Sequence, residues 1–218
     1  MAKKLQMKLL TTIILLALLS TSIYAVLIPN ANAAEITLQQ KGLAVLNDVM
    51  NIDLTEYATS PQEYPQDFYL DVIPQENMRY RLESNTSKVD VLCTFANEKL
   101  RMIQVLEAME TPSMTKSTDS ELEMAKNFLS NYQSFTGNSF YGELRSMLAN
   151  AEAGKSFVAT SGNIKLEVVA SHSDATFRWT YTFNGIEAPT KCVALRYKEG
   201  FLKYFIDNWT SIKSAVQP

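Results

Sequence analysis

The feature that most constrains this chain is a segment near the C-terminus in which aromatic and polar residues alternate. In TFRWTYTF, residues 176–183, the aromatic side chains are Phe177, Trp179, Tyr181 and Phe183. Because a strand points successive side chains to opposite faces, one face would be aromatic and the other polar. An antiparallel sheet with one solvated face buries its other face. We therefore interpret the row as core, in preference to a carbohydrate-binding platform.

An amphipathic helix is predicted at the start of each half of the chain. Thr37 and Gln40 have the spacing of a capping box, and apolar residues then follow at helical intervals. Thr118 and Glu121 repeat this spacing before a second apolar pattern. We expect the second helix to end at Gly137 as its C-terminal cap, and a shorter helix to follow.

Strand patterns follow the helices in both halves. In the first half, a proline-containing irregular stretch at 57–74 precedes three strand-like runs, and in the second half four runs end in a hairpin at 199–200. These patterns predict an α+β fold of two related units, each an amphipathic helix packed on a small antiparallel meander sheet. The first unit would span 34–112 and the second 113–218.

Residues 1–33 have the features of a Sec-type signal peptide. Three lysines precede a long apolar run, and an Ala-Asn-Ala sequence ends at Ala33, where we predict cleavage. An uncleaved N-terminal anchor is the alternative, because the run approaches the ~20 apolar residues of a membrane span. We therefore expect a secreted or cell-surface protein that contacts the membrane only if this segment remains.

The charge balance argues against two classes of partner. The chain has 20 Lys and Arg and 23 Asp and Glu residues, a net charge of −3, and loss of residues 1–33 would remove three of the lysines. Nucleic acids and anionic membranes bind through clustered Lys and Arg. We therefore expect no nucleic acid and no anionic membrane surface as the main partner.

Two cysteines and two sequons are candidate sites of covalent modification. Cys93 and Cys192 are the two cysteines of the chain. In an exported protein they could form a disulfide, which would stabilise the fold by ~4–5 kcal/mol in the chain-entropy model. Two separate buried thiols are the alternative. Asn85 and Asn208 begin N-x-S/T sequons and are candidate glycosylation sites in a host that glycosylates exported proteins.

Signatures of catalysis are scarce in the sequence. His172 is the single histidine, and no G-x-S-x-G element accompanies it and Asp174. We interpret His172 as a solvated turn residue. No ligand spacing predicts a metal site, and AGKS at 153–156 lacks the first glycine of a phosphate-binding loop. We therefore expect no catalytic, cofactor-binding or metal-binding residues, and no cofactor.

The C-terminal strands resemble a known family pattern. Residues 177–209 contain an aromatic strand FRWTY, the turn segment FNGIEAP, the strand KCVALRY, a KEG hairpin and the last strand FLKYFIDNW. This order is similar to the repeats of the PepSY superfamily, which occur in propeptides of thermolysin-type proteases and in related secreted proteins. The resemblance implies a non-catalytic extracytoplasmic module that binds or restrains peptidases, or that serves as a general domain on the outer side of the membrane.

We therefore expect an exported, non-enzymatic binding or regulatory module that acts on a protein partner, such as a peptidase, at the cell surface. Two alternatives remain open. A small extracellular hydrolase could use a carboxylate pair, for which the chain offers 23 acidic residues. A structural surface subunit could assemble through the edges of its strands.

Overall fold

Nine antiparallel strands and three α-helices occur in the part of the chain that the structure, a computed structural model, describes: residues 37–64, 74–109 and 120–209. The predicted signal peptide or anchor at 1–33 and the predicted unit boundary at 112 lie outside the described residues. Within the described ranges, none of the helices has the length and apolar character needed to span a bilayer.

Helices precede strands in both halves of the chain. In the first half, α1 (Leu38–Ala44) continues as a π-helical turn (Val45–Val49), and a 3-10 turn (Leu54–Glu56) leads to β1 (Ala58–Tyr64), β2 (Gln75–Glu83), β3 (Lys88–Ala96) and β4 (Lys99–Met109). In the second half, α2 (Glu121–Thr136) and α3 (Phe140–Ser146) precede β5 (Phe157–Ser161), β6 (Ile164–Ala170), β7 (Asp174–Phe183), β8 (Ile186–Lys198) and β9 (Phe201–Asp207).

All nine strands belong to one sheet, in the order β1-β2-β3-β4-β9-β8-β7-β6-β5. Each half is a meander that runs from an outer edge of the sheet to its centre. There β4 and β9 pair through a short antiparallel register whose middle pair is Ile103 with Phe205. The predicted α+β class is confirmed. The meanders are also found, but they share one sheet instead of forming two small ones.

The two edge strands are missing from the sequence prediction. The prolines of residues 57–74 predict an irregular stretch, yet residues 58–64 form β1, with Pro61 inside it. A proline cannot donate a ladder hydrogen bond, but an edge strand needs such bonds on one side only. At the opposite edge, β5 has five residues. A strand this short offers too few alternating apolar and polar residues to be predicted from the sequence. Each meander therefore has one strand more than predicted.

The core lies between the sheet and the helices, which cover one of its faces. The largest strand side chains that point to the helices are fully buried: Tyr80, Phe95, Phe177, Trp179 and Phe205. The ring centroids of Phe128 and Tyr132 on α2 lie 4.9 and 4.8 Å from that of Phe205. Trp179 Nε1 donates to the carbonyl of Leu144 at 3.1 Å, so this buried indole N–H is satisfied.

Helix α2 ends as predicted and begins close to the predicted residue. Gly137 caps its C-terminus with a φ of 66°, in the left-handed region. At its N-terminus, Ser120 Oγ accepts a hydrogen bond from the backbone N–H of Glu123 at 3.3 Å. The predicted cap, Thr118, lies outside the described residues. Ser120 and Glu123 offer the same S/T-x-x-E spacing two residues later.

The two central hairpins are built on the same plan. Both residues of each turn have left-handed φ values, 50° and 61° in 97–98 and 57° and 80° in 199–200. A register shift follows each turn and leaves one extra residue, Arg101 in β4 and Lys203 in β9. Such bulges locally bend and twist a strand. The two extra residues stand at the same distance from their turns, so the hairpins match in turn and in bulge.

Candidate binding surface

The aromatic row of residues 177–183 is divided between the core and the surface. Phe177 and Trp179 are 1% and 0% exposed, so the interpretation as core is confirmed for them. Tyr181 is half-buried, and Phe183 is 61% exposed. The row therefore begins inside the protein and ends outside it.

Phe183 belongs to a projecting hairpin end, termed the arm and defined as residues 183–191. The ladder of β7 with β6 ends at Tyr181, and the ladder of β8 with β9 ends at Val193. None of the other described strands pairs with the arm by a ladder, although the Lys165 ammonium on β6 forms an ion pair with the Glu187 carboxylate of the arm at 2.6 Å. Its turn, 184–185, has φ values of 51° and 79°. Left-handed pairs of this kind match the twist of tight hairpins, and Asn-Gly is the favoured sequence for them.

A bulge marks the base of the arm. Thr180 pairs with Cys192, and the next residue, Tyr181, pairs with Ala188, so β8 contains three residues that have no counterpart in β7. Pro189 is the first of these, and a bulge is one of the few places in a sheet that accepts proline. The Pro189 carbonyl accepts a hydrogen bond from the Arg178 guanidinium at 2.7 Å. This hydrogen bond fixes the backbone where the arm begins.

The tip of the arm carries the two most exposed large apolar side chains of the described residues. Phe183 and Ile186 are 61% and 75% exposed, and they pair directly across the turn. Directly opposite residues present their side chains on the same face of a hairpin. The two side chains therefore form one apolar patch, of the kind that marks interaction sites when it is held in solvent.

A cation lies between two aromatic rings near the base of the arm. The Lys191 ammonium is 4.2 Å from the centroid of the Tyr181 ring and 5.8 Å from that of Trp209. The Trp209 ring packs on Phe140, with centroids 4.8 Å apart. Among the described side chains, no carboxylate forms an ion pair with Lys191. The arm thus offers apolar side chains at its tip and an uncompensated positive charge at its base.

A buried polar cluster holds Trp209 in place. The Asp207 carboxylate is 3% exposed. It accepts hydrogen bonds from the Trp209 backbone N–H at 3.0 Å and from the Tyr141 hydroxyl at 2.5 Å. Burial, together with the neighbouring Tyr132 and Asp207, raises the pKa of Tyr141 far above its ordinary value. Tyr141 therefore remains a neutral donor that fixes the end of β9 beside the arm.

Strand alternation in the sequence predicts a core position for Phe183, whereas the structure exposes it, and it indicates no role for Ile186, Lys191 or Trp209. The Asn-Gly turn in the sequence could have indicated that Phe183 and Ile186 lie together at the surface. An Asn-Gly turn places the residues before and after it directly opposite each other. Phe183 and Ile186 flank that turn, and a turn is rarely covered by other elements.

The predicted disulfide between Cys93 and Cys192 is wrong, because both residues are free, buried thiols. Cys93 lies on β3 and Cys192 on β8, with β4 and β9 between them. Three strand spacings amount to ~14 Å, about twice the largest Cα separation that a disulfide can bridge. Burial raises the pKa of Cys93 to about 12 and also raises the pKa of Cys192. The alternative of two buried thiols is the correct one.

The two sequons lie in different surroundings. Asn85 is exposed in the turn between β2 and β3. Asn208 is half-buried, and its side-chain oxygen accepts a hydrogen bond from Arg101 at 3.4 Å. Glycosylation stays a prediction for both, and Asn85 is the more accessible acceptor.

The residues considered for catalysis are not brought together. His172 is exposed in a turn. Asp174 pairs instead with Arg196, whose Nε and Nη2 donate at 3.1 and 2.7 Å, and this hydrogen bonding lowers the pKa of Asp174. A search of the described ranges gives no group of three or more His, Cys, Asp and Glu side chains that could hold a metal ion. A cavity beside Glu121 and Glu152 has a volume of about 10 Å³, room for one water and not for a sugar.

Comparisons with known proteins do not show the family of this chain. No family model matches the chain, and no curated protein matches it significantly. One similar solved structure is the C-terminal domain of YpeB from Bacillus megaterium, at 9% identity and a TM-score of 0.45. The similarity covers 81% of this chain and 66% of that one, so the chain spans just under two thirds of its length. A likeness this weak carries no argument, and the PepSY resemblance stays a prediction.

Proposed function

We propose that the protein is an exported, non-enzymatic binding module that engages a protein partner, for example a peptidase, on the outer side of the membrane. Export rests on the sequence of residues 1–33 alone. The binding role rests on the arm, which presents a firmly held apolar tip to solvent. The resemblance to PepSY repeats is the reason to place a peptidase first among the candidate partners.

The single observation that carries the proposal is the exposure of Phe183 and Ile186, at 61% and 75%. Removing one large apolar side chain from water stabilises a complex by ~1.5–3 kcal/mol. Two such side chains on a rigid turn could form the centre of an interface, because their ordering costs little on binding. Lys191 at the base of the arm favours a partner that presents a carboxylate beside its apolar pocket.

The relation between the two halves of the chain belongs to the same proposal. The two central hairpins share their left-handed turns and the position of their bulges. This match supports two related units, of which the second carries the arm. The strand pair β2–β3, the counterpart of β7–β8 in the first half, has no comparable projection, because β1 and β4 pair with it up to its last residues, Glu83 and Lys88. On this view the binding role is a property that the second unit has acquired.

The edge strand β5 favours a second candidate function, assembly of identical subunits. Its sequence, FVATS, contains neither proline nor charge, whereas the opposite edge strand, β1, contains Pro61 and Glu63. Val158 on β5 is 60% exposed. Proline and charge are the usual protections of an edge against pairing with another chain. If the purified protein sediments as a monomer at high concentration, this second candidate is excluded.

The experiment compares protein capture by three forms of the exported protein. The wild type, the double variant Phe183→Ser/Ile186→Ser and the control variant Val158→Ser/Val169→Ser are immobilised and exposed to the host's secreted and cell-surface proteins. The control removes two valines that are 60% and 57% exposed away from the arm. We expect a protein retained by the wild type and the control to be lost at least tenfold from the arm variant.

Three outcomes would overturn the proposal. Equal retention by all three forms, or no retained protein at all, would remove the arm as a binding element. Co-sedimentation of the wild type with phosphatidylglycerol vesicles, abolished in the arm variant, would make the tip a membrane contact instead of a protein contact. Circular dichroism on the three forms checks that the folds are unchanged.

A further inference from the structure

The face of the sheet that the helices do not cover, termed the open face, has a groove at its centre. The groove lies over β4, β9 and β8 and has a volume of about 470 Å³. The side chains of its floor are Met102, Gln104, Tyr204 and Ile206. Met102 pairs with Ile206 and Gln104 with Tyr204 across the seam of the two meanders. The floor is thus formed by both halves of the chain.

One side of the groove is strongly cationic. Arg196 and Lys198 on β8 and Lys203 on β9 line it. Asp174 is the carboxylate that faces them, and its ion pair with Arg196 is 2.7 Å long. Neither lysine forms an ion pair with a carboxylate of the described residues. Among the described side chains, the groove therefore has three positive charges against one negative charge, in a chain whose net charge is −3.

The bulge in β9 contributes to this charge. Lys203 is the extra residue between the pairs Arg196–Tyr204 and Tyr197–Leu202. A bulge redirects a side chain that the regular alternation of the strand would place elsewhere. The bulge therefore adds the third cation to the groove. The Lys203 ammonium is 6.0 Å from the Phe201 ring centroid, a contact that leaves its hydrogen-bond donors available.

We infer that this groove binds an extended acidic segment of a partner protein. The positive excess fits carboxylates, and the floor residues recur at every second position along β4 and β9, as the side chains of an extended peptide do. A peptide that alternates acidic and apolar residues could place its carboxylates by the lysines and its apolar side chains on Met102 and Ile206. The open face is separate from the apolar tip of the arm, so this inference goes beyond the proposed function.

The test measures binding of a fluorescent dodecapeptide that alternates glutamate with leucine, by anisotropy, to the exported full protein. We expect Lys198→Glu/Lys203→Glu to weaken binding at least tenfold. The control is Lys126→Glu/Lys155→Glu, with the same change of charge at lysines outside the groove, and it should change binding less than twofold. Met102→Gln, which retains every charge, should weaken binding several-fold, and added salt should weaken it further.

Three results would overturn the inference. Binding of a lysine–leucine peptide as tight as that of the acidic peptide would show that charge does not select the ligand. Equal weakening by the two charge-reversal variants would show a response to net charge alone. Polyphosphate binding as tight as the peptide, and unaffected by Met102→Gln, would assign the groove to anionic polymers. The variant Lys198→Glu/Lys203→Glu should still capture the partner that binds the arm. Failure of this inference can therefore be distinguished from failure of the proposed function.

Discussion

Cys93 and Cys192 lead to a chemical prediction at the scale of single residues. Burial raises the pKa of Cys93 to about 12, so its thiolate fraction at pH 8 is ~10⁻⁴. We expect neither thiol to react rapidly with iodoacetamide in the native protein. Both should react in guanidinium chloride without a reductant, and mass spectrometry should count two adducts.

The variant Cys93→Ala provides the control, because it should give one adduct under the same denaturing conditions. Wild-type protein that gives no adduct in denaturant without reductant, and two adducts after reduction, would contradict the description of separate thiols. Storage under oxidising conditions before the assay would not change the expected result, since both side chains are buried.

The error about the cysteines shows what a sequence can and cannot determine for single residues. The number of cysteines and an export signal make a disulfide reasonable. Whether it can form depends on how many strands separate β3 from β8, and that order is set by the pairing of β4 with β9. Phe183 is a similar case. Strand alternation predicts which face of the sheet its side chain points to, but it does not predict that β6 and β9 end before they reach Phe183.

At the scale of elements, the packing of α1 on β2 depends on one glycine. A Cβ at Gly42 would lie 1.8 Å from the hydroxyl oxygen and 2.4 Å from the Cζ of Tyr80. Tyr80 is fully buried, and its hydroxyl donates to the carbonyl of Gln39 at 3.1 Å. The ring has no space to move into, so we expect Gly42→Ala to destabilise the fold by ~1–3 kcal/mol, measured as the free energy of unfolding in urea.

A second helical glycine is the matched control for Gly42. A Cβ at Gly142 in α3 would meet the end of the Gln133 side chain, with Oε1 at 2.6 Å. That side chain is flexible and can rotate away, and alanine has the higher helix propensity, by up to ~1 kcal/mol. We expect Gly142→Ala to be neutral or stabilising. If both substitutions lower the free energy of unfolding equally, the close contact with Tyr80 is not the cause of the destabilisation in Gly42→Ala.

The elements differ in how far the sequence predicts them. Helix α2 has apolar residues at regular spacing, a capping serine and a terminal glycine, which agree with one another. The sequence of β1 does not predict a strand, because Pro61 cannot donate a ladder hydrogen bond. The strand forms nevertheless because β1 lies at the edge of the sheet, where it pairs on one side only. The arm also depends on its neighbours, because it projects only where β6 and β9 have ended.

At the scale of the whole molecule, we expect the two halves to unfold together. The β4–β9 seam is short, but α2 reinforces it: Phe128 and Tyr132 pack on Phe205, which pairs with Ile103. Ile103→Ala should cost ~2–5 kcal/mol. Hydrogen exchange at increasing urea should show one midpoint for peptides from 75–96 and from 164–183, and the substitution should lower it equally in both.

Two separate midpoints, with Ile103→Ala affecting the first half alone, would contradict this expectation. That outcome would support independent domains at 34–112 and 113–218. A conservative control is Val158→Ala, at an exposed position on the edge strand β5. It should leave the midpoint of both regions nearly unchanged, since few contacts are lost at the surface.

The α+β class and the two meanders can be predicted from the sequence, but the pairing that joins the meanders into one sheet cannot. Strand alternation and turn residues describe local pairs such as β3–β4 and β8–β9. The pairing of Met102 with Ile206 joins residues more than a hundred positions apart. The sequence of neither strand indicates that the other is its partner. Their alternating apolar residues fit an edge as well as a central strand, so two small sheets and one large sheet are equally compatible with the pattern.

The central place of β9 has a consequence for the order in which the protein can complete its fold during synthesis. β4 ends at residue 109 and its partner strand ends at residue 207. At ~5–20 residues per second, the ribosome needs roughly 5–20 s to cover that distance. Throughout this interval the inner edge of the first meander has no partner. The last of the described strands to be made is thus the one that closes the sheet, and release of the nascent chain before residue 207 leaves that edge open to other chains.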